Sequence, residues 1–233
     1  MEQDLTEASV EQIAQFYQVS THPWLRANMV ISKDGHFADA SGSSRGLSSP
    51  LDLKILLTLR AISDAVLVGA STIRTEDYRP IRLANDYTKL RKSPAQLVII
   101  SRSLAFNPDL RIFSDPEILP IFLTAQDSSV GWNQNLNRLS EQFEVKVLPA
   151  PLDLREVITF LNSQGFSQIV CEGGPDLLGQ LLHFDLVDEL DITQSPISLG
   201  TPAERSIIHQ AIDLWPNRIT AKLGSHRVIR IKR

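Results

Sequence analysis

Ile169-Val170-Cys171-Glu172-Gly173-Gly174-Pro175-Asp176 is an apolar strand that breaks into two glycines and a proline, and Leu177, Leu178, Leu181 and Leu182 follow at helical spacing. A buried strand that turns sharply into a helix is the repeating unit of a parallel sheet covered by helices. Two readings fit the turn itself. Glycines admit a ligand close to the backbone, and a helix start offers unpaired N–H groups and partial positive charge to a phosphate. A tight strand-to-helix connection with Asp176 as a helix-start residue needs the same residues. The stretch is not a Gly-x-Gly-x-x-Gly fingerprint, and no Walker pattern occurs anywhere in the chain.

Working outward, the unit repeats. Pro50, after Ser48 and Ser49, suits the first turn of a helix over 51–62, with a serine as its cap. Asp64 leads from it into Ala65-Val66-Leu67-Val68-Gly69. Further strand-length apolar runs lie at 24–31, 96–101, 119–123, 145–148 and 168–171, with helical patterns at 154–161 and 177–184. After Phe184 the pattern changes to strands at 186–193, 218–223 and 227–231, with no helix between the last two. The expected fold class is α/β: a mixed, mostly parallel sheet with helices on both faces and an antiparallel C-terminal end. Arg227, Arg230, Lys232 and Arg233 alternate with Val228, Ile229 and Ile231, which reads as a solvated edge strand, with an anion site as the other possibility. Residues 5–19 read as a short amphipathic helix packed on the outside. The expected division is therefore a helical extension over 1–22 and one domain over 23–233.

Composition excludes several function classes. The chain has 233 residues, 42% of them hydrophobic and 21% charged, enough to bury a full core. A net charge of -4 gives no general attraction to nucleic acid and no polybasic membrane signal. The acidic start lacks the features of a signal peptide, and no apolar run could cross a bilayer, so a cytoplasmic protein is expected. One cysteine, Cys171, sits in an apolar strand and reads as inert packing rather than a nucleophile. The histidines, His22, His36, His183, His209 and His226, show no metal spacing, and no metal site is expected.

Two more segments hold polar groups just past buried strands, where open α/β sheets place ligands. Val98-Ile99-Ile100-Ser101-Arg102 ends in a hydroxyl and a guanidinium, which suit a phosphate monoester such as the 2′-phosphate of NADP; a surface turn is the plainer reading. Residues 72–92 carry six basic against three acidic side chains, an excess that fits either a phosphorylated substrate or a wet loop.

Five motifs in this order resemble the reductase domain of riboflavin biosynthesis: Asn28-Met29-Val30-Ile31-Ser32-Lys33-Asp34-Gly35, Leu59-Arg60-Ala61, Asp64 through Gly69 with Thr72, Glu172-Gly173-Gly174-Pro175, and Leu186-Val187-Asp188-Glu189-Leu190. The resemblance runs from about Trp24 to the C-terminus. It implies a dihydrofolate-reductase-like fold, a homodimer, and NADPH-dependent reduction of the ribosylamino group of a phosphorylated pyrimidine to ribitylamino. Carried over by position, it implies Val30, Thr72, Glu76, Ser101, Arg102, Gly173, Gly174, Pro175, Asp176 and Leu177 as cofactor contacts. Ser44, Arg60 and Arg82 are implied for the substrate, and Glu172 and Asn28 as the groups that orient it. Asn28 stands where bifunctional members have lysine and stand-alone reductases have asparagine. The chain departs from the pattern at Gly46, where some members have tryptophan, and at Thr72-Ile73-Arg74-Thr75-Glu76-Asp77-Tyr78, where a terminal proline is lost. A Leu-x-x-Arg stretch is blurred into Arg79-Pro80-Ile81-Arg82, leaving open which arginine meets the phosphate. A reductase of a pterin or folate, or a non-catalytic NADPH-binding relative, remain the rival readings. The cofactor reading puts the glycine pair and the Ser101-Arg102 pair on two neighbouring strand ends that face the same way.

Overall fold

The computed structural model describes residues 3–19 and 23–233. His22 and the expected boundary at residue 22 thus lie outside the described residues. One ten-stranded sheet runs in the order β1 (Gln3–Asp4), β9 (Asn217–Leu223), β10 (His226–Lys232), β8 (Glu189–Gln194), β2 (Trp24–Ile31), β7 (Gln168–Cys171), β3 (Ala65–Gly69), β4 (Gln96–Ile100), β5 (Ile121–Ala125) and β6 (Glu144–Leu148). Every pairing from β8 across to β6 is parallel, and β10 is antiparallel to both its neighbours. The expected fold class is the one observed.

Helices α1 (Val10–Phe16), α2 (Pro50–Ile62), α3 (Ala70–Thr75), α4 (Val130–Ser140), α5 (Leu154–Ser163), α6 (Pro175–His183) and α7 (Ile207–Leu214) cover the sheet. α2 begins as its sequence requires, with Ser49 Oγ accepting from the Asp52 amide at 3.2 Å and Pro50 in the first turn. Strand alternation divides the core between two faces. Leu25, Ala27, Cys171 and Leu190 pack with α5, α6 and α7, while Val66, Val68 and Val170 pack with α1 and α2. β3 is buried along its whole length, as a central parallel strand must be. α4 was not legible in advance, because its sequence is largely polar and only Trp132 and Leu139 are buried.

Two expectations are corrected here. Residues 3–17 are more than an outer appendage: β1 pairs with β9, and Leu5, Ile13 and Tyr17 are buried in the core. The physical reason is the free edge of β9, whose unpaired backbone groups β1 satisfies. The C-terminal strand is not a solvated edge either, since β10 lies between β8 and β9. Arg230 is only 3% exposed and donates to Glu189 Oε2 at 2.7 Å. Only the fold could put a buried carboxylate opposite Arg230.

Those carboxylates belong to a buried group beneath α1. Arg26 Nε stands 3.4 Å from Glu189 Oε1 and 3.7 Å from Asp191 Oδ2. Arg26 Nη2 donates to the Tyr17 carbonyl at 2.8 Å, and Arg230 donates to the Phe16 carbonyl. Two guanidinium groups thus satisfy carbonyls at the C-terminal end of α1, where cations are favoured. Burial, reinforced by Glu189, pushes the Asp191 carboxyl well above the usual carboxylate range.

Candidate active site

The parallel strands β7, β3 and β4 end on one edge of the sheet and point the same way. β3 lies between the other two, so the glycine pair and Ser101 are one strand apart rather than adjacent. The chain beyond β7 stays locked to β3: the Glu172 amide donates to Leu67 at 3.0 Å, and the Gly69 amide donates to Gly173 at 2.8 Å. Gly173 has φ +84°, a conformation that disfavours every side chain, and a Cβ there would lie 2.9 Å from Met29 Sδ. A Cβ on Gly174 would lie 3.0 Å from Thr72 Oγ1. The Gly173–Gly174 peptide is cis.

Gly174 caps α6 without a side-chain hydrogen bond, and Pro175 fills the first helical position. The N–H groups of Asp176 and Leu177 therefore have no capping side chain, which is the arrangement an anion requires. Ser101 is buried, and its Oγ accepts from the Leu104 amide at 3.0 Å, so the hydroxyl hydrogen is left for another acceptor. Arg102, next to it, is exposed.

Glu172 lies one residue past the Ala27–Cys171 pairing, as does Asn28 on β2, so the two stand side by side on one face of the sheet. Asn28 in turn pairs with Asp191 of β8. Arg60, from the last turn of α2, donates from Nε to Glu172 Oε1 and from Nη2 to Oε2, both at 2.6 Å. Tyr78 donates its hydroxyl to Glu172 Oε2 at 2.5 Å and accepts from Arg60 Nη2 at 2.9 Å. The guanidinium also lies over the phenol ring, 5.3 Å from its centroid. Burial works against the Arg60 charge, but Glu172 and Tyr78 outweigh it and hold the guanidinium above its ordinary value. Burial likewise pushes the Tyr78 phenol well above its usual value, so it remains a donor.

A third group closes the site from the loop before α2. Glu76 accepts from Ser43 Oγ and from the Ser44 amide, each at 2.7 Å, and Arg45 donates to the Glu76 and Asp77 carbonyls. A Cβ on Gly46 would fall 2.0 Å from Asp39 Oδ2, so a side chain here needs the Asp39 carboxylate to turn away. That carboxylate is already committed to the turn, accepting from Ser41 Oγ at 2.5 Å and from the Ser41 amide at 2.8 Å.

The fold thus collects Thr72, Gly173, Gly174 and the start of α6 at one strand end, with Ser101 and Arg102 two strands along. It joins Arg60 to Glu172 beside Asn28, and Ser44 to Glu76; Val30 lies half-buried further along β2. Arg82 lines a small cavity with Arg60 but has no hydrogen bond to these groups among the described residues: it is exposed and donates to the Asp115 carbonyl at 2.5 Å and to Oδ2 at 3.1 Å. Sequence reasoning missed Tyr78 as a site residue. The stretch stood out only for its lost proline, which says nothing of a hydroxyl that meets Glu172. Cys171 is buried, and burial raises its thiol to about 12, as inert packing requires.

Residues 23–227 match the model of a protein family described as the RibD C-terminal domain. A 2,5-diamino-6-ribosylamino-4(3H)-pyrimidinone 5′-phosphate reductase from Archaeoglobus fulgidus is 29% identical over 184 residues, covering 76% of this chain and 82% of the relative. The riboflavin biosynthesis protein RibD of Escherichia coli is 29% identical over 188 residues, covering 78% of this chain but half of that protein. A solved structure of a pyrimidine reductase-like protein from Corynebacterium diphtheriae superposes with a TM-score of 0.78 at 26% identity. It covers 97% of this chain and 98% of its own.

Proposed function

Because this chain belongs to the RibD C-terminal domain family, we propose that it is an NADPH-dependent reductase acting in riboflavin biosynthesis on a phosphorylated ribosylaminopyrimidine, whose ribosylamino group becomes ribitylamino. The observation that carries this reading is the meeting, on one sheet edge, of an uncapped glycine-lined helix start with the Arg60–Glu172–Tyr78 group beside Asn28.

The residues fit the cofactor. Gly173 and Gly174 leave backbone open to a pyrophosphate, the first N–H groups of α6 face an anion, and Ser101 retains a hydroxyl hydrogen beside the exposed Arg102 for a 2′-phosphate. When bound, NADPH supplies the hydride for the anomeric carbon of the opened sugar imine. The chain need then only align and shield the reacting carbon. Glu172, held by Arg60 and Tyr78, forms a fixed polar wall that orients the heterocycle. Asn28, whose side-chain amide has no hydrogen bond to the described residues, is the free donor and acceptor that positions the sugar. Glu76 reaches the ligand through the 43–46 loop it holds. Arg82 is the candidate for the substrate phosphate once released from Asp115. A homodimer and a cytoplasmic location belong to the same reading.

The test is oxidation of NADPH, followed by the loss of reduced-nicotinamide absorbance, with ribosylaminopyrimidine phosphates as substrates and NADH as the control. Substrate-dependent oxidation that prefers NADPH is expected, with Glu172→Gln lowering kcat/KM by about tenfold or more. Turnover of a pterin or folate instead would move the chain to another reductase class. A thermal shift by NADPH without turnover of any substrate would make it a binding protein.

A further inference from the structure

A row of side chains crosses four neighbouring strands on the face of the sheet that α1 and α2 cover: Glu172 just past β7, Asn28 on β2, Asp191 on β8 and Arg230 on β10. Asn28 and Asp191 are register partners, one strand spacing of about 4.8 Å apart, on the same side of the sheet. Asp191 is 1% exposed, yet neither of its oxygens has a hydrogen-bond partner among the described residues, and nor has Glu189 Oε1. The donors close by do not meet this need. Arg26 Nε stands 3.4 Å from Glu189 Oε1 and 3.7 Å from Asp191 Oδ2 without a hydrogen bond to either, and Arg230 Nη2 is spent on Glu189 Oε2. The Tyr17 hydroxyl is buried there too and has no partner. Three buried acceptors without a donor require a proton and an N–H. Burial, the Glu189 charge and a hydrogen bond to Glu189 favour the protonated Asp191 carboxyl against the opposing guanidinium groups of Arg26 and Arg230. Its proton then serves Glu189 Oε1, and its second oxygen remains an acceptor. Asn28, whose side-chain amide has no hydrogen bond to the described residues, is the register neighbour that can fill it.

We propose that Asp191 is a positioning residue for Asn28: it donates its O–H to Glu189 Oε1 and accepts from Asn28 Nδ2 through its other oxygen, which turns Asn28 Oδ1 toward a hydroxyl of the substrate's sugar. The inference rests on the pyrimidine-reductase reading and deepens it. The two ends of an amide have nearly the same shape but opposite hydrogen-bonding character, so a fixed partner on the buried side decides which end meets a ligand. A sugar hydroxyl donates to the oxygen thus presented. Asp191 itself stays out of reach of the substrate and acts only through Asn28.

A double-mutant cycle between the two residues tests this. Calorimetry measures binding of the diaminopyrimidinone and aminouracil ribosylamino phosphates to protein saturated with NADP⁺, and binding of NADP⁺ on its own. Asp191→Leu is expected to weaken the better-bound phosphate about tenfold and to leave NADP⁺ affinity within about twofold. Asp191→Asn, whose amide can donate to Glu189 and accept from Asn28, is expected to lose less than about threefold. In an Asn28→Ala background, Asp191→Leu should change phosphate binding by less than about twofold. Asp191→Ala serves the same comparison should the leucine variant not fold. A purely structural carboxyl would weaken both ligands together, whether or not Asn28 is present. That result overturns the proposal, as does unchanged binding in Asp191→Leu, a loss in Asp191→Asn as large as in Asp191→Leu, or an effect abolished by Tyr17→Phe rather than by Asn28→Ala. Absence of NADPH oxidation by wild-type protein with both phosphates would instead remove the enzyme reading, while the binding cycle still decides the role of Asp191. Binding of neither phosphate would overturn both.

Discussion

Gly173 is where conformation and crowding demand the same residue. Its φ of +84° and the 2.9 Å approach of Met29 Sδ to a would-be Cβ both act against a side chain. Methionine can move, so the backbone conformation sets the cost. Gly173→Ala is expected to lower stability by about 1–3 kcal/mol, read as a lower urea midpoint, and to weaken NADPH binding. Cys171, two residues earlier, supplies a pH test. Burial, assisted by the nearby Glu172 charge, raises its thiol to about 12 against one opposing backbone hydrogen bond from Gly173. The folded state then holds the proton more tightly than the unfolded chain. The stability this contributes is complete below the unfolded thiol's value and is lost as pH climbs toward the folded one. The stability difference between wild type and Cys171→Ala should therefore narrow above about pH 9, by at most about 1.4 kcal/mol per pH unit. A constant difference across that range would count against the buried thiol. Gly173 and Cys171 were both readable as a strand running into a turn. Tyr78 was not, because nothing local told that its hydroxyl would meet a carboxylate 94 residues away.

α1 shows how an element acquires a meaning that its own sequence does not hold. Ser9 caps it and Gln12 completes the capping box, both visible in the spacing of the residues. Seven residues make a marginal helix in isolation, so its stability comes from Ile13 and Tyr17 in the core and from the guanidinium groups of Arg26 and Arg230 at its last carbonyls. Ile13→Ala is expected to cost about 2–5 kcal/mol, as for other fully buried aliphatic truncations, measured from urea unfolding. A cost under about 1 kcal/mol would return the segment to the role of an outer appendage. The helices α2, α5 and α6 were legible because their apolar stripes are dense. α4 was not, because a helix lying on the sheet near its β6 edge needs few apolar residues.

The molecule as a whole is held by one continuous sheet whose two faces each carry a core running across several strands. Among the described residues the N-terminal segment shares that sheet, since β1 pairs with β9. Single-tryptophan variants that retain Trp24 in β2, Trp132 in α4 or Trp215 at the end of α7 should unfold in urea with coincident midpoints. An earlier transition at one probe would reveal an independent unit. The strands and helices around the glycine turn, the mostly parallel order and the antiparallel end all follow from residue spacing, because the periods of two and 3.6 are local properties of the chain. So do the glycine pair and the Ser101-Arg102 pair as strand-end features. What lies opposite a side chain is decided only when distant segments pack. Tertiary structure alone placed β10 inside the sheet, brought Arg230 to Glu189, set β3 between the two strand ends, and joined Arg60, Tyr78 and Glu172. Those contacts join residues up to 112 positions apart, a separation over which no periodicity in the sequence carries information.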